Sequence, residues 1–258
     1  MEKTPASRSV TGRAFTVLDT FSPEYRRQSL SSIARRAGLP LTTAHRLVHD
    51  LEQQEALVRG ADGDYEIGRK IWALGTLASV HAELRELALP YMGDIYGLGN
   101  DAVQLGVVDG LRCLIVDRIA GSRTMKVLSK PGSRLPMHAT GVGKVLLAYG
   151  GPELNEAAFA ALDRFTEQTI TDAQALKEQL QTIKAHGYAI TYAELIEGAT
   201  SVAVPVRGKA GRVIAALGVI LPSTYADPRR MVPVLQVTAA ALSKKLLDLG
   251  LGAPSQLH

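Results

Sequence analysis

One short segment near the N-terminus carries polar side chains at a spacing that could read nucleic acid. In residues 40–53, Ala44, Leu47, Val48 and Leu51 fall at helical spacing and form an apolar stripe. Thr42, His45, Arg46, His49 and Gln53 are left on the other side. The N-terminal half of such a helix, here Thr42, Thr43, His45, Arg46 and His49, is the half that a DNA-recognition helix turns toward bases. Arginine can pair with the acceptors of guanine, and threonine can meet a thymine methyl or a phosphate. Arg46 is expected to reach a base edge, the alternative being contact with phosphate or solvent only. His45 and His49 are read as phosphate or water partners. Arg13, Arg35, Arg36 and Arg59 suit phosphate contacts, which hold register without reading sequence.

A second segment, Thr140-Gly141-Val142-Gly143, opens another helix. The free N–H groups and positive dipole end of that helix can hold a carboxylate. The alternative is that these glycines only permit tight packing. Other chemistries fail on spacing. Gly143-Lys144 would need a glycine at 138 and a hydroxyl residue at 145 to make a phosphate loop, and those positions hold His and Val. Position 146 is Leu, so no third glycine completes a dinucleotide fingerprint. The histidines are scattered without metal-ligand spacing. His138 is read either as a pocket residue or as a hydrogen-bonded structural one. Cys113 falls in an expected strand and reads as a buried, inert thiol. Neither catalytic residues nor a metal site or cofactor is expected.

These residues need elements to hold them. Residues 9–21 and 30–37 read as two helices before the one at 40–53. Ser29 caps the second, Gly38 ends it, and Pro40 suits the first turn of the third. Two helices joined by a short glycine turn are the minimal helix-turn-helix, with Ala34 and Ala44 small where the helices cross. Leu57 and residues 65–67 flank an Asp-Gly turn, the hairpin signal of a wing. Residues 70–88 return to helical spacing, with Trp72 as a dimer or core contact and Pro90 opening the next segment. Beyond this, hairpins at 102–119 and 201–221 and helices at 141–149, 154–162, 173–186 and 229–249 argue for an α+β arrangement. A further strand is expected at 124–128.

Length and composition bound the rest. The 258 residues are 46% hydrophobic and 21% charged, which suits one large or two smaller globular domains. No apolar run approaches the ~20 residues that span a bilayer, so no membrane partner is expected and the location is read as cytoplasmic. A single cysteine excludes an internal disulfide. The net charge of +4 is unevenly spread: seven arginines face two acids between Arg8 and Arg46, a local balance of +5. A basic cluster favours a polyanion, although a solvated helix face explains it equally well.

Several strings, in order along the chain, resemble the IclR family of bacterial transcriptional regulators. They are LSSIARRAGLPLTTAHRLVHDLEQ, GDYEIG, LRELALPYM, RLPMHATGVGKVLLA, TITD, HGYAITYAE, EGATSVAVPV and GRVIAALGV. The resemblance implies an α+β chain in which an N-terminal winged helix-turn-helix is joined by a connecting helix to a GAF-like ligand-sensing domain. The expected boundaries are 1–69, 70–88 and 89–258. It also implies a homodimer or homotetramer on palindromic double-stranded DNA, acting as repressor or activator.

The family's effector pocket maps here onto Gly141 and Val142, onto Met125, Val127 and Ser129 as one wall, and onto Thr191, Ser201, Gly218 and Ile220 as the other. His138 and Tyr192 are further candidates. Members that sense small acids often carry an acid at the position of Thr191, a cysteine at Ser201, and serines at Gly218 and Ile220. This less acidic, partly apolar set points to an effector with a larger apolar or aromatic body and one carboxylate. The alternative is a small carboxylic acid metabolite. An enzyme is not expected, for want of an acid–base or nucleophile set. A winged helix used for protein association is the third reading.

Overall fold

A computed structural model describes residues 9–22, 25–77, 81–99, 102–121 and 129–251. Contacts divide the chain into two compact units, Met1–Ser79 and Val80–His258.

In the first unit, helix α1 (Val10–Leu18) starts at Ser9, whose side chain accepts from the Gly12 N–H. Helix α2 (Leu30–Ala37) is capped in the same way by Ser29, through Ser32 N–H. Gly38 ends α2 at φ 66°, a left-handed conformation that glycine adopts without steric cost. Helix α3 (Leu41–Gln53) follows after Pro40. Strands β1 (Leu57–Arg59) and β2 (Tyr65–Ile67) pair antiparallel as the wing, and Gln28 bridges to Tyr65. Val17, Ile33, Leu47, Val48, Leu57 and Tyr65 form the core. Burying each large aliphatic side chain stabilises the fold by about 1.5–3 kcal/mol. Helix α4 (Arg69–Thr76) closes the unit.

The expected continuous helix over 70–88 is interrupted. Leu77 caps the end of α4, and His81, at φ 57°, precedes α5 (Ala82–Gly97). Pro90 does not open a segment but lies within α5, between buried Ala88 and Met92.

The second unit is an antiparallel six-stranded sheet with helices on both faces. Its strands are β3 (Ala102–Asp109), β4 (Arg112–Ala120), β5 (Arg134–Pro136), β6 (Ala189–Tyr192), β7 (Ala199–Arg207) and β8 (Val213–Pro222). Their order is β5-β4-β3-β8-β7-β6. Between the strands run α6 (Gly141–Tyr149), α7 (Pro152–Phe159) and α8 (Ala173–His186), and α9 (Met231–Asp248) closes the unit.

Strand alternation feeds two cores. Val103, Leu105, Val202, Val204, Leu217 and Val219 face α5 and α9. Cys113, Ile115, Ala203 and Ala216 face α6 and α8. The strand expected at 124–128 lies outside the described residues. Among the described residues, no helix is long and apolar enough to cross a membrane.

Candidate ligand cavity and nucleic-acid interface

Helix α3 buries Ala44, Leu47 and Val48 against the first unit's core. The 3.6-residue period then turns Thr42, His45, Arg46, His49 and Gln53 outward within roughly 100° of arc. All five are exposed, and Thr43 is half-buried beside them. Such a face can enter a major groove and present donors to base edges.

The arginines divide by environment. Arg35 is exposed. Arg36 donates from Nε to the Thr20 carbonyl at 3.3 Å, and its guanidinium lies 3.7 Å from the Tyr25 ring centroid. Arg59 bonds the Gly63 carbonyl across the wing turn. Arg13 is half-buried, with Nε unpaired. Arg36 therefore braces the unit from inside, a part its position in the sequence did not suggest.

In the second unit, a small cavity of about 40 Å³, at the base of a pocket open to solvent, lies on the α6 face of the sheet. Its wall includes Gln104, Ser129, Thr140, Thr191, Ser201 and Ile220, with apolar surface from Leu135, Ala139, Leu195, Ile196 and Ala199. Thr191 Oγ1 and Ser201 Oγ sit 2.6 Å apart across the β6–β7 pair. Gln104 is 3% exposed and Ser129 1%, and Gln104 Oε1 and Ser129 Oγ have no hydrogen-bond partner. Orphaned buried polar atoms are costly and rare, and here two face one cavity.

Behind the wall lies a buried ion pair. Lys144, 0% exposed, donates from Nζ to Glu194 Oε1 and Oε2 at 2.6 and 2.5 Å and to Gln179 Oε1 at 2.6 Å. Burial pushes the lysine pKa down and the Glu194 pKa up, while mutual attraction opposes both shifts. Glu194 lines the cavity, yet both its oxygens are held by Lys144.

Of the sequence-predicted pocket residues, Ser129, Thr191, Ser201 and Ile220 meet at this cavity. Met125 and Val127 lie outside the described residues. The other five do not line it. His138 turns away: its Nε2 lies 2.9 Å from the Asp163 carbonyl, and burial holds its pKa below the usual imidazole range, so the neutral ring donates there. Tyr192 follows Thr191 in the strand, so the two-residue period points it outward, where it is exposed.

Gly218 and Val142 serve packing. A Cβ on Gly218 would come within 3.1 Å of Val142 Cγ1 and 2.9 Å of the Val202 carbonyl. The N–H of Gly141 already donates to Ser201 Oγ, and that of Gly143 to Thr140 Oγ1. Two first-turn donors expected to await a carboxylate are thus taken by hydroxyls. Nothing along the sequence pointed to Gln104, Leu135, Glu194, or Leu195, Ile196 and Ala199, which reach the cavity through strand pairing and a loop rather than through any local pattern. Among the described residues, no group of three His, Cys, Asp or Glu could hold a metal ion.

Comparison with known proteins adds to this geometry. The family model described as bacterial transcriptional regulator IclR C-terminal matches residues 76–244, and the IclR helix-turn-helix domain matches residues 10–60. The chain is 30% identical to the HTH-type transcriptional regulator XynR of Escherichia coli K12, covering 91% of this chain and 95% of that protein. It is 32% identical to the glycerol operon regulatory protein of Streptomyces griseus, covering 93% and 96%. In structure it is similar to an IclR homologue from Microbacterium hydrocarbonoxydans crystallised with 4-hydroxybenzoate. The TM-score is 0.84 at 34% identity, over 93% of this chain and 100% of that one.

Proposed function

The chain belongs to the IclR family of bacterial transcriptional regulators, and we propose that it is a repressor or activator whose hold on operator DNA is set by a small aromatic acid in the second unit's cavity. The observation that carries this reading is the cavity itself: apolar walls, a hydroxyl pair at Thr191 and Ser201, and unpartnered polar atoms on Gln104 and Ser129. That mixture suits an apolar body with a few polar atoms, as ligand pockets generally do. The homologue crystallised with 4-hydroxybenzoate supports the same class.

In this reading residues 1–69 bind DNA, residues 70–88 connect, and residues 89–258 sense the effector. The α3 face reads bases, with Arg46 central. Assembly as a homodimer or dimer of dimers on a palindromic operator is supported by Trp72, Leu74 and Leu77, apolar side chains that α4 and its end leave exposed in the single chain.

The test begins with selecting genomic fragments bound by the purified full chain. Operator affinity is then measured with and without benzoate, 4-hydroxybenzoate and glyoxylate. An aryl acid is expected to change that affinity by about fivefold or more. A change of operator affinity with glyoxylate alone would overturn the aromatic assignment. Arg46→Ala is expected to cost about 1–3 kcal/mol of operator binding and to relax selectivity at one base pair. Unchanged binding would leave α3 without its reading role and favour protein association instead.

A further inference from the structure

Strand β4 changes face partway along. Cys113 and Ile115 point toward α6, and strict alternation would send Asp117 the same way and Arg118 to the opposite face. The β3–β4 register shifts between Leu105 and Gly106: Gly106 pairs with Ile115, Leu105 with Asp117, and Val116 is the extra residue. This bulge reverses the assignment. Asp117 turns to the α5 side, where Arg85 Nε meets its Oδ2 at 2.7 Å. Arg118 lands opposite Gln104, on the cavity face. Bulges re-aim side chains in this way beside functional sites.

Arg118 arrives with unspent donors. Its Nη1 bonds the Ser129 carbonyl at 2.9 Å, while its Nε is buried without a partner. Among the described residues, no carboxylate pairs with this guanidinium. Glu194, the acid in the cavity wall, is bound at both oxygens by Lys144. Gln104 and Ser129 line the cavity, and Arg118, opposite the one and bonded to the carbonyl of the other, stands behind them, so that three buried polar atoms without partners and an uncompensated positive charge neighbour one another there. The Gln104 amide can present oxygen or nitrogen by a flip. Gln104 on β3 pairs with Gly218 of β8, and Ser201 on β7 pairs with Ile220 of β8, so the two lie two strands apart and two residues out of step, about 12 Å. One aromatic ring with a carboxylate fits that interval.

We propose that Arg118, with Ser129 and Gln104, forms the carboxylate end of the effector cavity, and that the β4 bulge is the device that puts it there. The proposal rests on the effector reading above and assigns that site its anion-binding residue. It names aryl carboxylates as the ligand class and makes charge, rather than ring shape, the discriminating feature.

The test uses the full chain, with benzoate and 4-hydroxybenzoate as probes against their neutral amides, by calorimetry and thermal shift. The wild type is expected to bind an acid about tenfold or more tightly than its amide, the scale of one charge-assisted hydrogen bond. In Arg118→Gln the acid is expected to weaken about tenfold while the amide is unchanged, so that discrimination disappears. Arg118→Lys is expected to retain part of it, and Gln104→Leu to weaken acid binding with the charge intact. Unchanged amide binding also reports that each variant is folded. If the acid still outbids the amide in Arg118→Gln, or if both bind the wild type alike, the proposal is overturned while the effector reading stands. If no acid binds the wild type, both fall together.

Discussion

Lys144 has all three ammonium protons committed, to two oxygens of Glu194 and one of Gln179, with no exposure to solvent. A pair so placed contributes little net stability against an apolar replacement, because its desolvation offsets its attraction. Breaking it is another matter. Lys144→Met leaves Glu194 buried alone and is expected to cost about 3–5 kcal/mol in urea unfolding. Lys144→Met with Glu194→Leu should recover most of that loss. A single-variant cost below about 1 kcal/mol would show that water already serves the carboxylate. The sign of the pH effect follows from burial, which raises the Glu194 pKa. Without its lysine, folded Glu194 keeps a proton that the unfolded chain releases, so the variant should lose stability as pH rises out of the ordinary carboxylate range. None of this was legible along the chain. Lys144 read only as a failed phosphate-loop lysine, and its partner lies fifty residues further on with no local signal. Local capping, by contrast, was legible: Ser29 and Gly38 bound α2 as the sequence suggested, because both act within four residues of the helix.

Helix α6 depends on a glycine that packing makes irreplaceable. A Cβ on Gly143 would stand 2.4 Å from the Met137 carbonyl oxygen and 2.5 Å from Met137 Cα, and backbone cannot swing aside as a side chain can. Within α5, Gly93 meets nothing within 4 Å of the same added atom. The same substitution should therefore have opposite signs. Gly93→Ala is expected to stabilise by up to about 1 kcal/mol through helix propensity. Gly143→Ala should destabilise by about 1–3 kcal/mol through overpacking. Chemical denaturation of the two variants decides this, and a stabilised Gly143→Ala would refute the close approach. The helical span 173–186 was legible because periodicity and capping agree there, and 141–149 because Thr140 opens it, although α6 is buried nearly all round and shows no apolar period. The β4 bulge was not, since a register shift is a property of two strands and leaves no mark on one. The break between α4 and α5 was hidden for a similar reason: helical spacing continues through it, while His81 takes a left-handed conformation that the pattern does not announce.

At the scale of the whole molecule, a DNA-reading unit and a ligand-binding unit are useful together only if binding at one changes binding at the other. That coupling is a free energy and is reciprocal: if an effector changes operator affinity by some factor, operator DNA must change effector affinity by the same factor. Effector Kd measured with and without saturating operator should therefore shift by about 5–150-fold, matching the shift seen from the DNA side. The arrangement of charge adds a control. The basic excess lies within residues 8–46, while the whole chain carries only +4. Salt should thus weaken operator binding steeply, through release of counterions from phosphates. The coupling factor should survive a modest salt change if it arises from two states of the protein rather than from charge neutralisation. Arg46→Ala sharpens the test further, because it is expected to lower operator affinity and changes no residue of the cavity wall. Its free form should bind the aryl acid as the wild type does, and its coupling factor should be retained at DNA concentrations that still saturate it. An effector that binds with one Kd whether or not operator is present would reduce the cavity to a passive site, whatever its chemistry.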